Sequence, residues 1–329
     1  MKSYRIGSDV LDHVYDNDTR TALEQEAGMV RRVTCEDVLS GACIDADYLF
    51  STWGMPCFSE EEICRCLPLL KGVFYGAGTV QTFARPFLNL QIPVFSAWAA
   101  NAVPVAEYTA AQIVLANKGF FLACRQTRNR SGYGQAKAFF HKMPGNYRAN
   151  IGIVGAGMIG KMVIERLKAY DLSVMVFDPF LSDEKADALV VKKVALKDLF
   201  AQCQVISNHV ANLPETFGML NYDLFSLMPE NGVFINTGRG AQVVEQDLIR
   251  ALKEKPDRCA ILDVTMPEPP EENSPLYTMD NVFLTPHIAG SSGNEVARMG
   301  KTMLEQFRKF ISGQPCEYEV TLEMLKTMA

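Results

Sequence analysis

Hydrophobic runs of strand length alternate with amphipathic segments along most of the chain. After residue 148, the apolar runs NIGIVG, LSVMVFD, CQVISNHV, NGVFINTG, RCAILDV and NVFLTPH are separated by helical patterns such as GKMVIERLKAYD and EQDLIRALKEK. Strands that are apolar at nearly every position and alternate with helices are typical of a parallel sheet covered on both faces. The second half of the chain is therefore predicted to be a doubly wound α/β domain.

The first hundred residues repeat this rhythm on a smaller scale. DADYLFSTWG, LKGVFYGAG and IPVFSAW have the pattern of strands, and SEEEICRCLPLL that of an intervening helix. VPVAEYTAAQIVLANKGFFLA predicts a long joining helix that begins at Pro104, because proline suits the first helical position. The polar segment CRQTRNRSGYGQAKAFFHKMPGNYRA is interpreted as a surface loop, and EVARMGKTMLEQFRKFISG as a helix that returns to the first domain.

Length and pattern together predict two domains. A chain of 329 residues is long enough for two separate apolar cores, and a cleft is expected between them. The boundaries follow from the joining helix and from the last strand-like run. We expect a smaller α/β domain made of residues 1–102 and 288–329, and a larger doubly wound domain made of residues 103–287.

Charge and composition favour a small-molecule partner. The net charge is −6, and no cluster of five or more Lys and Arg offsets it, which disfavours nucleic acid and anionic membranes. The N-terminus lacks the apolar core of a signal peptide, and no uncharged apolar run reaches membrane-spanning length, so a cytoplasmic location is expected. The nine cysteines show no zinc-ligand spacing, which predicts reduced thiols and no metal site.

A glycine-rich turn predicts a dinucleotide site. Gly155, Gly157 and Gly160 stand in GxGxxG spacing between an apolar strand and a helix, and Asp178 ends the next strand. The first glycine permits the tight turn, the second lets the backbone approach a pyrophosphate, and the third allows close packing of helix and strand. The helix N-terminus, with Met158 and Ile159, offers amide donors to the phosphates. Asp178 would bind the ribose hydroxyls, and no arginine follows it, so NAD is favoured over NADP.

Three ionisable residues follow later strands of the same domain. Arg239, Glu268 and His287 stand in FINTGRG, LDVTMPEPP and LTPHIAG, at the strand ends where open parallel sheets bind ligands. Hydride transfer to or from an alcohol needs a proton carrier, a cation that holds the substrate, and a group that keeps the proton carrier poised. Each residue alone could be a capped loop histidine, a surface arginine or a solvated glutamate. Their combination with a dinucleotide motif favours catalysis.

The chain resembles the D-isomer-specific 2-hydroxyacid dehydrogenase family. The resemblance extends over roughly residues 70–310, in order, through NAVPVAEYT, GIVGAGMIG, HVANLPET, LMPENGVFINTGRG, DLIRALKEK, ILDVTMPEPP and LTPHIAGSS. It implies that residues 103–287 form a Rossmann NAD-binding domain. It also implies a flavodoxin-like substrate domain, residues 1–102 completed by the C-terminal segment 288–329, and a homodimer.

The same resemblance implies roles for individual residues. His287 would be the acid/base, Glu268 the carboxylate that pairs with it, and Arg239 the substrate-binding arginine. The substrate would also meet the backbone amides of Ala77 and Gly78 and the side chain of Asn101. Apart from the resemblance, Trp53 follows the strand-like run DADYLFS, and this position at a strand end makes it a substrate contact if it is not a core aromatic. The predicted cofactor contacts, beyond the glycine turn and Asp178, are His209, Thr237, Gly238, Arg239, Asp263, His287 and Gly290.

The predicted function is hydride transfer between NAD(H) and a small 2-oxo or 2-hydroxy acid, as in glyoxylate and hydroxypyruvate reductases. Glyoxylate, hydroxypyruvate and pyruvate all remain candidate substrates. A formate-dehydrogenase-like enzyme is disfavoured because that branch carries glutamine where this chain has Glu268. A phosphoglycerate dehydrogenase with a regulatory tail would need residues beyond Ala329. An NAD-sensing binding protein, like the related transcriptional corepressors, stays open.

Overall fold

The computed structural model describes residues 1–28 and 30–326 of the chain. The chain divides into two compact units, one made of Met1–Ala102 and Ser291–Ala329 and the other of Val103–Gly290. Among the described residues, no helix combines the length and the apolar character that crossing a bilayer would require.

Most strands of the described residues have two to four residues, and the two longest belong to the second unit. In chain order, the strands are β1 (Ser3–Ile6), β2 (Val30–Arg32), β3 (Tyr48–Ser51), β4 (Gly72–Tyr75), β5 (Val94–Ser96), β6 (Tyr147–Val154), β7 (Asp171–Phe177), β8 (Lys192–Lys193), β9 (Val205–Asn208), β10 (Val233–Asn236), β11 (Cys259–Leu262), β12 (Val282–Leu284) and β13 (Glu319–Val320).

The α-helices fill the intervals between the strands. They are α1 (Leu11–Val14), α2 (Asn17–Glu26), α3 (Cys35–Leu39), α4 (Glu60–Cys66), α5 (Ala84–Asn89), α6 (Trp98–Ala116), α7 (Phe120–Gln126), α8 (Arg130–Phe140), α9 (Met158–Leu167), α10 (Asp183–Leu189), α11 (Leu196–Gln202), α12 (Tyr222–Phe225), α13 (Glu245–Glu254) and α14 (Val296–Ile311).

The sheet of the first unit has the order β13-β5-β4-β3-β1-β2. All of its pairs are parallel except that of β13 with β5, which is antiparallel. The parallel part therefore has the flavodoxin-like order. Aromatic rings form its core: Phe74 stacks on Phe95 with ring centroids 4.8 Å apart, and Phe307 of α14 lies edge-on to Phe74 at 5.4 Å. The C-terminal segment thus supplies both a strand and a core ring to this unit.

The sheet of the second unit has the order β12-β11-β10-β9-β6-β7-β8, and all its pairs are parallel. Successive side chains of a strand point to opposite faces, and here they enter two separate cores. Val233 and Ile235 of β10 belong to one buried cluster and Phe234 to the other. The sheet is therefore covered on both faces, and the predicted class of two doubly wound α/β units is confirmed.

Two sequence predictions around the joining helix are wrong. Helix α6 begins at Trp98 and contains Pro104 in its interior. The residues before the proline, Ala99 and Ala100, are buried, so the helix gains apolar contacts that offset the missing N–H of the proline. The segment interpreted as a surface loop forms α7 and α8. In α8, Ala136 and Phe139 are buried at helical spacing within a polar sequence, and this weak pattern was hidden by the composition.

Candidate active site

The glycine turn joins β6 to α9 with almost no room for side chains at two of its positions. Gly155 has φ +92°, and a Cβ placed there would lie 2.9 Å from the backbone of His209. A Cβ on Gly160 would lie 2.0 Å from the carbonyl oxygen of Gly155. In contrast, a Cβ on Gly157 would meet none of the described residues within 4 Å, and none of their side chains caps the N-terminus of α9. Open space before an uncapped helix N-terminus fits a pyrophosphate.

Asp178 follows β7 directly and is fixed beside this turn. Its Oδ2 accepts the backbone N–H of Ala156 at 2.7 Å, and its Oδ1 accepts that of Phe180 at 2.8 Å. An ionised carboxylate has about four acceptor positions. Both oxygens therefore keep acceptor capacity for the two hydroxyls of a ribose, which agrees with a dinucleotide bound at the turn.

His287 and Glu268 form a hydrogen-bonded pair. His287 lies in the loop after β12, and its Nδ1 is 2.7 Å from Oε1 of Glu268. The side chains are 47% and 43% exposed, so a ligand can reach them. Because Nδ1 is engaged by a carboxylate, which only accepts, it carries the proton, and Nε2 is the nitrogen that can exchange a proton with a ligand.

Arg239 lies in the loop after β10. Gly240 packs this loop against the segment after β11, so closely that a Cβ there would lie 2.0 Å from the carbonyl carbon of Thr265. Burial lowers the pKa of Arg239, and the nearby carboxylate of Glu268 acts in the opposite direction. Arg239, Glu268 and His287 therefore lie in one neighbourhood of the second unit.

A buried amide network, which sequence reasoning missed, holds the loop of Arg239. Asn208 Nδ2 donates to Asn236 Oδ1 at 3.0 Å and to Gln242 Oε1 at 2.9 Å. Gln242 Oε1 also accepts the backbone N–H of Arg239 at 3.1 Å, and Asn236 Nδ2 donates to its carbonyl at 3.1 Å. The three amide residues are at most 1% exposed. The available signal was an asparagine at the end of two buried strands.

His209 is a partly buried histidine whose ring is neutral at neutral pH. Its Nε2 is 2.9 Å from Ser207 Oγ, and burial lowers its pKa from 6.5 to about 4. Its Nδ1 is buried and has no hydrogen-bond partner in the part of the chain that the structure describes. A neutral ring behind the glycine turn can offer one hydrogen bond to a ligand but is a poor proton donor at neutral pH.

The other predicted cofactor contacts lie around these loops. Asp263, after β11, is 2% exposed, and its carboxylate accepts the backbone N–H groups of Ile288 and Ala289 at 2.8 and 2.9 Å. Thr237 is buried, and its hydroxyl is 3.0 Å from that of Thr109. Gly238 lies against Asn208, and Gly290 is half-buried beyond Ala289.

The predicted substrate residues belong to the first unit. Ser96 Oγ donates to the carbonyl oxygens of Ala77 and Gly78, and within residues 1–28 and 30–326 the two amide N–H groups have no acceptor. A Cβ on Gly78 would lie 3.3 Å from Nδ2 of Asn101. These amides and Nδ2 thus form a small group of donors suited to a carboxylate. Trp53 is only partly buried and packs against the core, so its role stays open between pocket and packing.

The fold and the glycine turn define a dinucleotide-binding protein. Residues 111–289 match the family model described as D-isomer specific 2-hydroxyacid dehydrogenase, NAD binding domain. The match covers more than half of the chain, which belongs to this family. The predicted family and the predicted cofactor, NAD, are both confirmed by it.

Curated relatives include two archaeal D-3-phosphoglycerate dehydrogenases. That of Archaeoglobus fulgidus is 32% identical over 236 residues, which cover 71% of this chain and 44% of the relative. That of Methanocaldococcus jannaschii is 32% identical over 232 residues, covering 70% and 43%. The chain thus spans less than half the length of these relatives.

Solved structures show the same fold. The D-mandelate dehydrogenase of Rhodotorula graminis superposes with a TM-score of 0.81 at 18% identity, over 97% of both chains.

Proposed function

We propose that the chain catalyses hydride transfer between NAD(H) and a small 2-oxo acid or D-2-hydroxy acid. The observation that carries the proposal is the His287–Glu268 pair, with Nδ1 and Oε1 2.7 Å apart. This pair is exposed, lies near Arg239 and belongs to the same unit as the glycine turn. It combines a proton carrier, its carboxylate partner and a cation, which is the set that this reaction requires.

The NAD-binding part of the proposal assigns residues 103–287 to the cofactor. Gly157 and the first turn of α9 would hold the pyrophosphate, and Asp178 the adenosine ribose. Asp263, Thr237, Gly238 and His209, with Gly290 just beyond this range, would line the remaining length of the cofactor. When bound, NADH supplies the hydride.

The protein groups would hold the substrate and move the proton. The guanidinium of Arg239 binds the substrate carboxylate and draws electron density from the carbonyl oxygen. His287 Nε2 donates its proton to that oxygen as the hydroxyl forms, and takes it back in the oxidation. The Glu268 carboxylate accepts a hydrogen bond from Nδ1–H of His287 throughout, which fixes the ring and stabilises the imidazolium.

The substrate part assigns residues 1–102 and 288–329 to the oxo acid. Ala77, Gly78 and Asn101 offer donors for a carboxylate, and Trp53 would face the substituent on the carbonyl carbon. Glyoxylate, hydroxypyruvate and pyruvate share the carboxylate and the adjacent carbonyl. The names of the archaeal relatives add 3-phosphohydroxypyruvate as a candidate. We further propose a cytoplasmic homodimer.

The test is reduction of these four acids, followed as the loss of NADH absorbance, in the wild type, His287→Ala and His13→Ala. His13 is an exposed histidine of the first unit and serves as the control. Loss of the general acid should lower turnover roughly 100-fold or more, while NADH binding survives. Near-wild-type turnover in His287→Ala would refute the assignment. Tight NADH binding without turnover of any acid by the wild type would favour an NAD-sensing protein instead.

A further inference from the structure

Asp263 is a buried carboxyl group that accepts several hydrogen bonds. It is 2% exposed, and each of its hydrogen-bond donors in the described part of the chain is an uncharged group. Thr285 Oγ1 donates to Oδ1 at 2.6 Å, the N–H of Ile288 donates to the same oxygen at 2.8 Å, and the N–H of Ala289 donates to Oδ2 at 2.9 Å. A buried charge is tolerated only when such bonds compensate for the lost water. All three donors come from one short loop.

That loop carries His287 in an unusual backbone conformation. His287 has φ 56°, in the left-handed region that residues with a side chain rarely adopt. Such a conformation is unfavourable and persists only where the surroundings enforce it. Asp263 supplies that constraint, because it binds the residues on both sides of His287 and its carbonyl accepts the His287 N–H at 3.0 Å.

The hydroxyl chain behind Asp263 has only one possible direction. Thr285 has a single hydroxyl proton, and Asp263 can only accept, so that proton lies between them. Thr285 Oγ1 must therefore accept from Tyr108 Oη, which is 3.2 Å away. Burial raises the pKa of Tyr108, so the phenol keeps the proton that it donates. Tyr108 of α6 thus reaches the His287 loop through Thr285 and Asp263.

We propose that Tyr108 and Thr285 are positioning residues for His287: through the Asp263 carboxylate they hold the loop in which the imidazole meets Glu268. The catalytic part of this inference rests on the proposed function. Neither side chain needs to touch the substrate. Losing the Thr285 hydroxyl should free the imidazole from its single orientation and leave the glycine turn and Asp178 unchanged.

The decisive variants change the Thr285 hydroxyl and little else. Thr285→Val is nearly isosteric and removes the donor to Asp263, whereas Thr285→Ser keeps it. Thr278→Val is the matched control, because Thr278 is exposed and its hydroxyl, among the described residues, hydrogen-bonds only the carbonyl of Pro275, at 3.3 Å. With hydroxypyruvate and NADH, Thr285→Val should lower kcat roughly 10–100-fold, the range expected for a misplaced catalytic group, with KM values changed less than about threefold. Thr285→Ser and Thr278→Val should stay within about threefold of wild-type kcat.

Tyr108→Phe tests the same series of hydrogen bonds if Thr285→Val fails to fold. The phenylalanine removes only the outer donor, so kcat should fall roughly 3–10-fold, as for the loss of one peripheral hydrogen bond. Two results would overturn the inference. One is wild-type kcat in both Thr285→Val and Tyr108→Phe. The other is equal loss of kcat in Thr285→Val and Thr285→Ser, which would make the site one of packing alone.

A second readout needs no turnover. In protein with ¹⁵N-labelled histidine, the ring nitrogens of His287, assigned with His287→Gln, should show a single Nδ1–H tautomer in the wild type and in Thr278→Val. Thr285→Val should show averaged ring-nitrogen shifts, because the imidazole then leaves Glu268 part of the time. Unchanged shifts in Thr285→Val would contradict the positioning role. If the wild type reduces no 2-oxo acid, the proposed function fails while this spectrum still decides the inference.

Discussion

The fixed carboxylate of Asp178 should make the chain discriminate against NADP(H). In NADP(H) the 2′-hydroxyl of the adenosine ribose, which Asp178 would bind, carries a phosphate. The negative charge of this phosphate would lie next to the Asp178 carboxylate. Asp178 cannot easily turn away, because both oxygens already accept backbone N–H groups, from Ala156 and Phe180. The 2′-phosphate must therefore either bear the repulsion or displace the carboxylate.

Both routes are costly. Two unit charges at about 4 Å repel by about 1 kcal/mol in bulk water and about 4 kcal/mol at an effective dielectric constant near 20. A phosphate with a charge of about −2 would thus lose about 2–8 kcal/mol. Displacing Asp178 would break two hydrogen bonds to a charged group, each contributing about 1.5–3 kcal/mol, or about 3–6 kcal/mol together. Even the lower limit of about 2 kcal/mol corresponds to roughly a 30-fold difference in Kd.

Fluorescence titration with NADH and NADPH measures this difference directly. In Asp178→Asn the charge is lost, so the ratio of the two Kd values should narrow roughly tenfold or more. Asp183→Asn is the control, because its carboxylate is exposed on α10 and contacts Lys193. Wild-type Kd values within about threefold of each other, or a ratio unchanged in Asp178→Asn, would refute the reasoning.

Three further outcomes follow from the same unit. Gly157→Ala should keep the wild-type melting temperature, because its Cβ meets none of the described residues within 4 Å, but should weaken NADH binding roughly tenfold or more by occupying the pyrophosphate space. Gly160→Ala should instead lower the melting temperature, because its Cβ would lie 2.0 Å from the Gly155 carbonyl oxygen. Equal melting temperatures of Gly157→Ala and Gly160→Ala in calorimetry would contradict this. Burial lowers the pKa of His209 from 6.5 to about 4. Between these two pH values His209 is therefore protonated in the unfolded chain and neutral in the folded chain. As the pH falls from 6.5 to 4, the unfolding free energy should therefore decrease by about 3 kcal/mol more in the wild type than in His209→Gln. Urea denaturation at pH 6.5 and at pH 4 measures this difference. An equal decrease in both proteins would show that the ring is not buried.

Strand patterns were readable in this sequence where a buried strand is apolar at nearly every position. CAIL and VFIN are of this kind because alternate side chains enter two different cores. Two strands of the first unit were missed: β1 is buried but has polar Ser3 and Arg5 at buried positions, and the edge strand β2 has Val30 buried and the next two residues exposed. Helix α8 was missed for a related reason, since its buried positions are few and lie among polar residues.

The ionisable residues of the site could be found from the sequence, but the hydrogen bonds that hold their loops in place could not. Parallel strands end at one edge of a sheet, so residues that follow successive strands gather there, which singles out His287. The hydrogen bond between Asp263 and Thr285 depends on the register of two strands. Leu262 of β11 pairs with Leu284 of β12, so the next residues, Asp263 and Thr285, lie side by side. A shift of one residue would turn each side chain to the other face and separate them. No local pattern in LTPHIAG specifies that register. The left-handed conformation of His287 therefore could not be predicted from the sequence.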